Sequence, residues 1–177
     1  MMKHGRDNMS VIFYGCISLD GYLADKNHGL GWLHSIGSET ETSYNDFYKD
    51  IDIVIMGRKT FSEIEHLAEL DSIYDHTENF VFSHRDDIES KMFHVVSGDI
   101  VTFVKSLSIE KNIWIVGGNT ILGPLLDAGL VDKMYVQIAP VLLGEGIPLF
   151  TQGEGVKQWN LVETNRYGQF SELVLEK

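Results

Sequence analysis

Cysteine is almost absent. Cys16 is the one thiol in 177 residues, which excludes an internal disulfide and a thiolate cluster for structural zinc. Any redox chemistry must then come from a bound cofactor. Basic residues are also scarce, with 14 Lys and Arg against 26 Asp and Glu and a net charge of −12. Long-range repulsion opposes a polyanion, so nucleic acid is not an expected partner. An anionic cofactor stays open, provided the few cations gather where its phosphates sit. No apolar run approaches the ~20 residues of a membrane span, and the leading MMKHGRDN is too polar for a signal peptide. A cytoplasmic protein without membrane contacts is expected. Also missing are G-x-G-x-x-G and G-x-x-x-x-G-K-[ST], the Rossmann and P-loop fingerprints. The seven histidines show no HExxH or paired ligand spacing, so no metal site is expected.

What is present reads as one globular domain. Hydrophobic residues make up 44% and charged residues 23%, and a chain of this length buries roughly 70% of its unfolded surface. Residues 1–9 read as a disordered extension and 10–177 as the domain. Strand-length apolar runs alternate with amphipathic helical stretches. Strands are expected at Val11 to Ile17, Ile53 to Met56, Asn79 to Ser83, Met92 to Val96, Asn112 to Val116 and Lys133 to Ala139. A C-terminal antiparallel hairpin is expected from Trp159 to Asn165 and Phe170 to Leu175 around the Tyr167-Gly168 turn. Helices fit Glu39 to Lys49, Lys59 to Leu70, Ile100 to Leu107 and about Ile121 to Ala128. This order predicts an α/β fold: a mixed, mostly parallel sheet with helices on both faces. In such sheets ligands bind outside the carboxyl ends of the strands.

Three strand ends carry suggestive chemistry. IVIM runs into Gly57-Arg58-Lys59-Thr60, which places two cations and free backbone N–H groups at a helix start. NFVF runs into Ser83-His84-Arg85, suited to a terminal phosphomonoester. IWIV runs into Gly117-Gly118-Asn119-Thr120, where missing side chains let backbone approach a pyrophosphate. Each turn alone has a structural explanation, a tight turn or a solvated helix end. Their joint occurrence in so acidic a chain points to a dinucleotide. Pro124 fits the first turn of a helix that begins near Ile121 or Leu122.

The order SLDGYLA, GLGWL, VIMGRKTF, FVFSHR, IWIVGGNTIL and DKMYVQIAPVLLGEGIPLF resembles the dihydrofolate reductase superfamily. It is most similar to the branch of the reductase domain of the riboflavin-pathway deaminase-reductase, and the resemblance runs from about Val11 to the C-terminus. It implies a three-layer fold on about eight strands, with NADPH as hydride donor. By the same resemblance, Arg58, Lys59, Thr60, Ser83, His84 and Arg85 match positions that hold the 2′-phosphate side of the cofactor. Gly117, Gly118, Asn119, Thr120 and Ile121 match the pyrophosphate loop, whose Gly-Gly peptide is typically cis in that family. Cys16 and Leu23 match positions lining the nicotinamide. The branch is often dimeric, and PVLLGEGIPLF reads as an apolar edge segment, so a homodimer is implied.

On the substrate side, Ser18 to Trp32 is expected to close over the nicotinamide, with Asp20-Gly21 as its first bend. Asp20, Trp32 and Glu41 are the candidates on the catalytic side. Tyr44, Asn45, Tyr48 and Gln137 are candidates for a small heterocyclic substrate. Trp32 is either a pocket wall or a core aromatic. Glu41 aligns with the acid that contacts the pteridine in folate-reducing members, and would share a helix face with Tyr44 and Tyr48 at i, i+3 and i+7. It equally completes a capping box with Ser38. Gln137 stands where a threonine often supports that acid, and Gly31 where a proline is usual. The reductase expected acts on a pteridine or pyrimidine. An NADP(H)-binding module without turnover is the alternative.

Overall fold

Strand alternation assigns side chains to layers. The computed structural model describes residues 9–177 except 86–87, 108–109, 152 and 154. In chain order its strands are β1 (Ser10–Ser18), β2 (Tyr22–Ala24), β3 (Ile53–Gly57), β4 (Glu78–Phe82), β5 (Phe93–Val96), β6 (Asn112–Gly117), β7 (Lys133–Ala139), β8 (Ile147–Pro148), β9 (Asn160–Tyr167) and β10 (Phe170–Glu176). The helices are α1 (Gly31–His34), α2 (Tyr44–Tyr48), α3 (Arg58–Ile64), α4 (Leu70–Ile73), α5 (Ile100–Ser106) and α6 (Asn119–Asp127). Along β1, Val11, Phe13 and Ile17 enter one core layer, while Ile12 and Tyr14 enter the other. The first layer is closed by Ile100 and Val104 of α5 with Ile121, Leu122 and Leu125 of α6. The second is closed by Phe47 of α2, Phe61 of α3 and Leu70 of α4. Burial on both faces explains the uninterrupted apolar runs of β3 and β6.

Eight strands form one sheet in the order β5-β4-β3-β6-β1-β7-β10-β9. The first six run parallel, and β10 and β9 close the far edge as an antiparallel hairpin. This is the three-layer α/β architecture expected. The register aligns Cys16 of β1 with Gln137 of β7, and Gln137 with Glu172 of β10. Among the described residues no helix is long and apolar enough to cross a membrane.

The structure corrects several element boundaries. The N-terminal extension lies outside the described residues apart from Met9, which packs against the core. The helix expected over Glu39 to Lys49 is a 3-10 turn at Glu39–Glu41, then α2. Thr42 separates them with extended backbone, and its Oγ1 donates to the Glu39 carbonyl (2.6 Å). Such side-chain to backbone bonds compete with helix continuation. The helix expected over Lys59 to Leu70 stops at Ile64. Phe61 and Leu70 both enter the second core layer, yet nine residues of α-helix would put them on opposite faces. The chain therefore turns between them. Helix α6 starts at Asn119, earlier than expected, so Pro124 sits in its second turn and the Thr120 carbonyl receives no i+4 bond. The pair β2 and β8 forms a separate two-stranded sheet, too short to show a period in sequence.

Candidate functional site

Parallel pairing puts the carboxyl ends of β1, β3, β4 and β6 on one edge of the sheet. Ser18, Arg58, Ser83 and Gly118 leave the sheet there. At the end of β6 the Gly117-Gly118 peptide is cis, as the resemblance implied, and Gly117 has φ +134°, a region that side chains with Cβ rarely enter. A Cβ on either glycine would meet nothing within 4 Å, so open space flanks this turn. Helix α6 follows at once. Its Ile121 and Leu122 N–H groups bond to the Gly118 carbonyl (3.0 and 3.1 Å), and the N–H groups of Asn119 and Thr120 precede these first helical bonds. Asn119 turns its side chain away, donating from Nδ2 to the Pro148 carbonyl (3.1 Å).

The cations expected at the phosphates lie on the same edge. Arg58 extends along its own helix, with Nη1 2.7 Å from Ser62 Oγ and 3.3 Å from Glu65 Oε2. Lys59 is exposed, its Nζ 3.4 Å from His28 Nε2 of the loop after β2. Ser83 is buried and its Oγ accepts the Arg85 N–H (3.0 Å), while His84 and Arg85 are exposed.

The loop after β1 is anchored at its base. Leu19 N–H donates to the Val141 carbonyl (2.8 Å) and Leu149 N–H to the Gly21 carbonyl (3.0 Å). Asp20 accepts from the Ser18 hydroxyl (2.6 Å) and from the Gly144 N–H (2.7 Å). The Ser18 bond, helped by the N–H groups of Gly144 and Leu143, holds its carboxyl below the usual value. Asp20, a candidate on the catalytic side, thus ties two loops together. Gly146 admits no Cβ, because the Ala24 carbonyl lies against it. The segment expected as an apolar edge pairs with the first loop through β2 and β8, and its Leu142 and Phe150 are exposed.

A cavity of about 250 Å³ opens between the second sheet face and the α1 to α2 segment. Tyr14, Tyr44, Trp114 and Phe170 give it aromatic walls; Cys16 and Val116 also line it, Val116 directly before the glycine turn, and Gln137 adds a carboxamide. A larger cavity of about 380 Å³ lies beside α3 and α4, lined by Phe61, Glu65, Asp71 and Glu89. None of the expected site residues lines it. The smaller cavity is the candidate site, because it adjoins the strand ends.

Buried polar groups cluster beneath this cavity. Glu172 is 1% exposed. Its carboxylate accepts from Ser43 Oγ (2.5 Å), Gln137 Nε2 (2.5 Å) and Asn165 Nδ2 (3.3 Å), so both buried oxygens have donors. The Tyr14 hydroxyl lies 3.1 Å from Thr42 Oγ1 and 3.2 Å from Ser43 Oγ. Burial pushes this hydroxyl up despite those bonds, and burial raises the Tyr44 hydroxyl as well. The Cys16 thiol is pushed up to about 12 by burial, so it is neutral and no nucleophile at neutral pH.

Of the substrate-side candidates, Tyr44 and Gln137 line the cavity. Glu41 is exposed and its Oε2 accepts the Ser38 N–H (3.0 Å); the break at Thr42 removes the single helix face on which it would join Tyr44 and Tyr48. Its capping geometry is the one observed. Tyr48 is held away by its hydrogen bond to the Ile73 carbonyl (2.9 Å). Asn45 is exposed on α2, and Trp32 is half-buried, its sealed Nε1 without a partner among the described residues. Sequence reasoning missed Tyr14, Trp114, Phe170 and Glu172. For Glu172 a signal existed: in FSELV it falls at period two between Phe170 and Val174, both buried.

The family profile of the RibD C-terminal domain matches residues 9–171. YwjB, an uncharacterized protein of Bacillus subtilis, is 29% identical over 165 residues, 92% of this chain and 95% of its own. A solved Shewanella structure assigned provisionally to riboflavin biosynthesis is 26% identical, with a TM-score of 0.81 over 95% of this chain and 98% of that one. Dihydrofolate reductase of Enterococcus faecalis, solved with NADP(H), has the same fold, with a TM-score of 0.66 over 94% of both chains at 14% identity. Nearly the whole chain is matched and the sheet has the corresponding fold; the chain belongs to the RibD C-terminal domain family.

Proposed function

We propose that the chain is an NADPH-dependent reductase of a small, flat nitrogen heterocycle of the pyrimidine or pteridine type. One observation carries the proposal: Cys16 and Val116 line the aromatic cavity, and the strand of Val116 ends at the Gly117-Gly118 turn that opens beside it. A pyrophosphate fits this turn, since no side chain obstructs it and the first N–H groups of α6 follow it. Arg58, Lys59, Ser83, His84 and Arg85 share that edge and would hold the 2′-phosphate. When bound, NADPH supplies the hydride. The chain's own part is placement and exclusion of water. Tyr44, Trp114 and Phe170 face a ring, Cys16 stays neutral beside it, and the first loop, which carries Leu23, is anchored at its base.

The test is loss of NADPH absorbance with dihydrofolate or with the ribosylamino-uracil phosphate as acceptor. Turnover of either supports the reading. Binding of NADPH with turnover of neither supports the second reading, an NADP(H)-binding module, which the exposed capping position of Glu41 favours. A homodimer, implied by the resemblance, would use the exposed Leu142 and Phe150; a monomeric mass in light scattering would remove it.

A further inference from the structure

A carboxamide has one acceptor oxygen and one donor nitrogen, and the end that faces a ligand decides what the ligand must offer. Gln137 is 2% exposed and lines the cavity, and its direction is set from behind. Its neighbour across the sheet is Glu172, whose Oε2 accepts from Gln137 Nε2 at 2.5 Å. The Glu172 carboxylate accepts at this contact, so the carboxamide turns its nitrogen toward it. The Ser43 and Asn165 donors fill other sites on the same carboxylate and hold it in place. The Gln137 amide also faces the Tyr14 hydroxyl. Among the described residues no group donates to Gln137 Oε1, and the one sealed polar side-chain atom without a partner is Trp32 Nε1. Gln137 Oε1 is therefore an acceptor left to the cavity.

We infer that Gln137 determines specificity: its Oε1, aimed by Glu172, accepts the ring N–H of a cyclic amide or imide held against the aromatic walls. The inference rests on the reductase reading only in taking the cavity as the substrate half of the site. At about 250 Å³ the cavity lies just below the usual range of ligand pockets and suits one small heterocycle. Tyr44 and Trp114, whose ring centroids are 5.7 Å apart, offer flat apolar surface to such a ring. Glu172 does not touch the ligand. It is a positioning residue.

The experiment titrates the full chain, with and without NADPH, with 6-aminouracil and with its 1,3-dimethyl derivative, which lacks the ring N–H groups. Nitrogen-edited NMR reads both affinities and the Gln137 side-chain amide. The wild type is expected to favour 6-aminouracil by about tenfold, the worth of one buried hydrogen bond. Gln137→Leu should bring the ratio to near one. A general loss of stability lowers both affinities together and leaves their ratio alone. In the double variant Gln137→Glu with Glu172→Gln, the amide nitrogen at 172 faces a carboxylate at 137 that still presents an oxygen to the cavity. The N–H preference should return. Equal binding of the two probes by the wild type, binding of neither, or a preference that survives Gln137→Leu overturns the inference. The reductase reading fails separately, through absence of NADPH binding, while the ring preference remains.

Discussion

The two halves of the site are built by different means. The proposed cofactor side consists of turns continuous in sequence, Arg58 to Thr60, Ser83 to Arg85 and Gly117 to Ile121, each at the end of a strand. The cavity side draws Tyr14, Trp114, Gln137 and Glu172 from four strands and lays Ser43 and Tyr44 over them. A site made of backbone turns is written in a few neighbouring residues. One made of side chains exists only once the strands are in register.

If the halves are separable, perturbations should move one and spare the other. The largest effect is expected at Gly117, where φ is +134° and the flanking space is open. Gly117→Val should weaken NADPH by on the order of 100-fold by obstructing backbone hydrogen bonds, and leave 6-aminouracil binding in place. Loss of both by a folded variant would join the halves into one unit.

Cys16 lies on the seam between them. Its folded thiol is pushed up to about 12, against 9.0 when unperturbed. At pH 9 its alkylation by iodoacetamide should be on the order of 100-fold slower than in unfolded chain, since the thiolate is the reactive form. The folded state holds the proton more tightly, so this contribution to stability is complete below about pH 8 and is lost as pH rises from 9 to 12. Rapid labelling at pH 9 would mean that the seam is open to water.

Arg58→Ala and Arg85→Ala should each weaken NADPH by about tenfold and NADH hardly at all, the loss of one charge-assisted contact to the 2′-phosphate. Equal losses for both cofactors would remove that role. The smallest effect is expected at Glu41. Glu41→Gln should cost under about 1 kcal/mol in thermal unfolding, the scale of one helix cap, and leave turnover unchanged. A large fall in turnover would restore Glu41 to the catalytic side.

The core elements were legible because strand-length apolar runs and amphipathic helical stretches mark them directly, and the sheet edge followed from the alternation of strands and helices. The glycine turn and the cations were legible because they abut strand ends. What escaped depended on distant partners. Glu41 is different: the sequence left cap and acid open, and the local break at Thr42 separates it from Tyr44 and Tyr48. Asp20 meets Gly144 across more than a hundred residues. Glu172 is placed behind Gln137 by the register of β10 against β7, and that register cannot be read from either strand alone.

The most direct test is the affinity of the wild-type chain for NADPH and for NADH, measured by fluorescence titration of the reduced nicotinamide. A phosphate-reading edge predicts that NADPH binds at least about tenfold more tightly. Equal affinities, tighter binding of NADH, or binding of neither would contradict it.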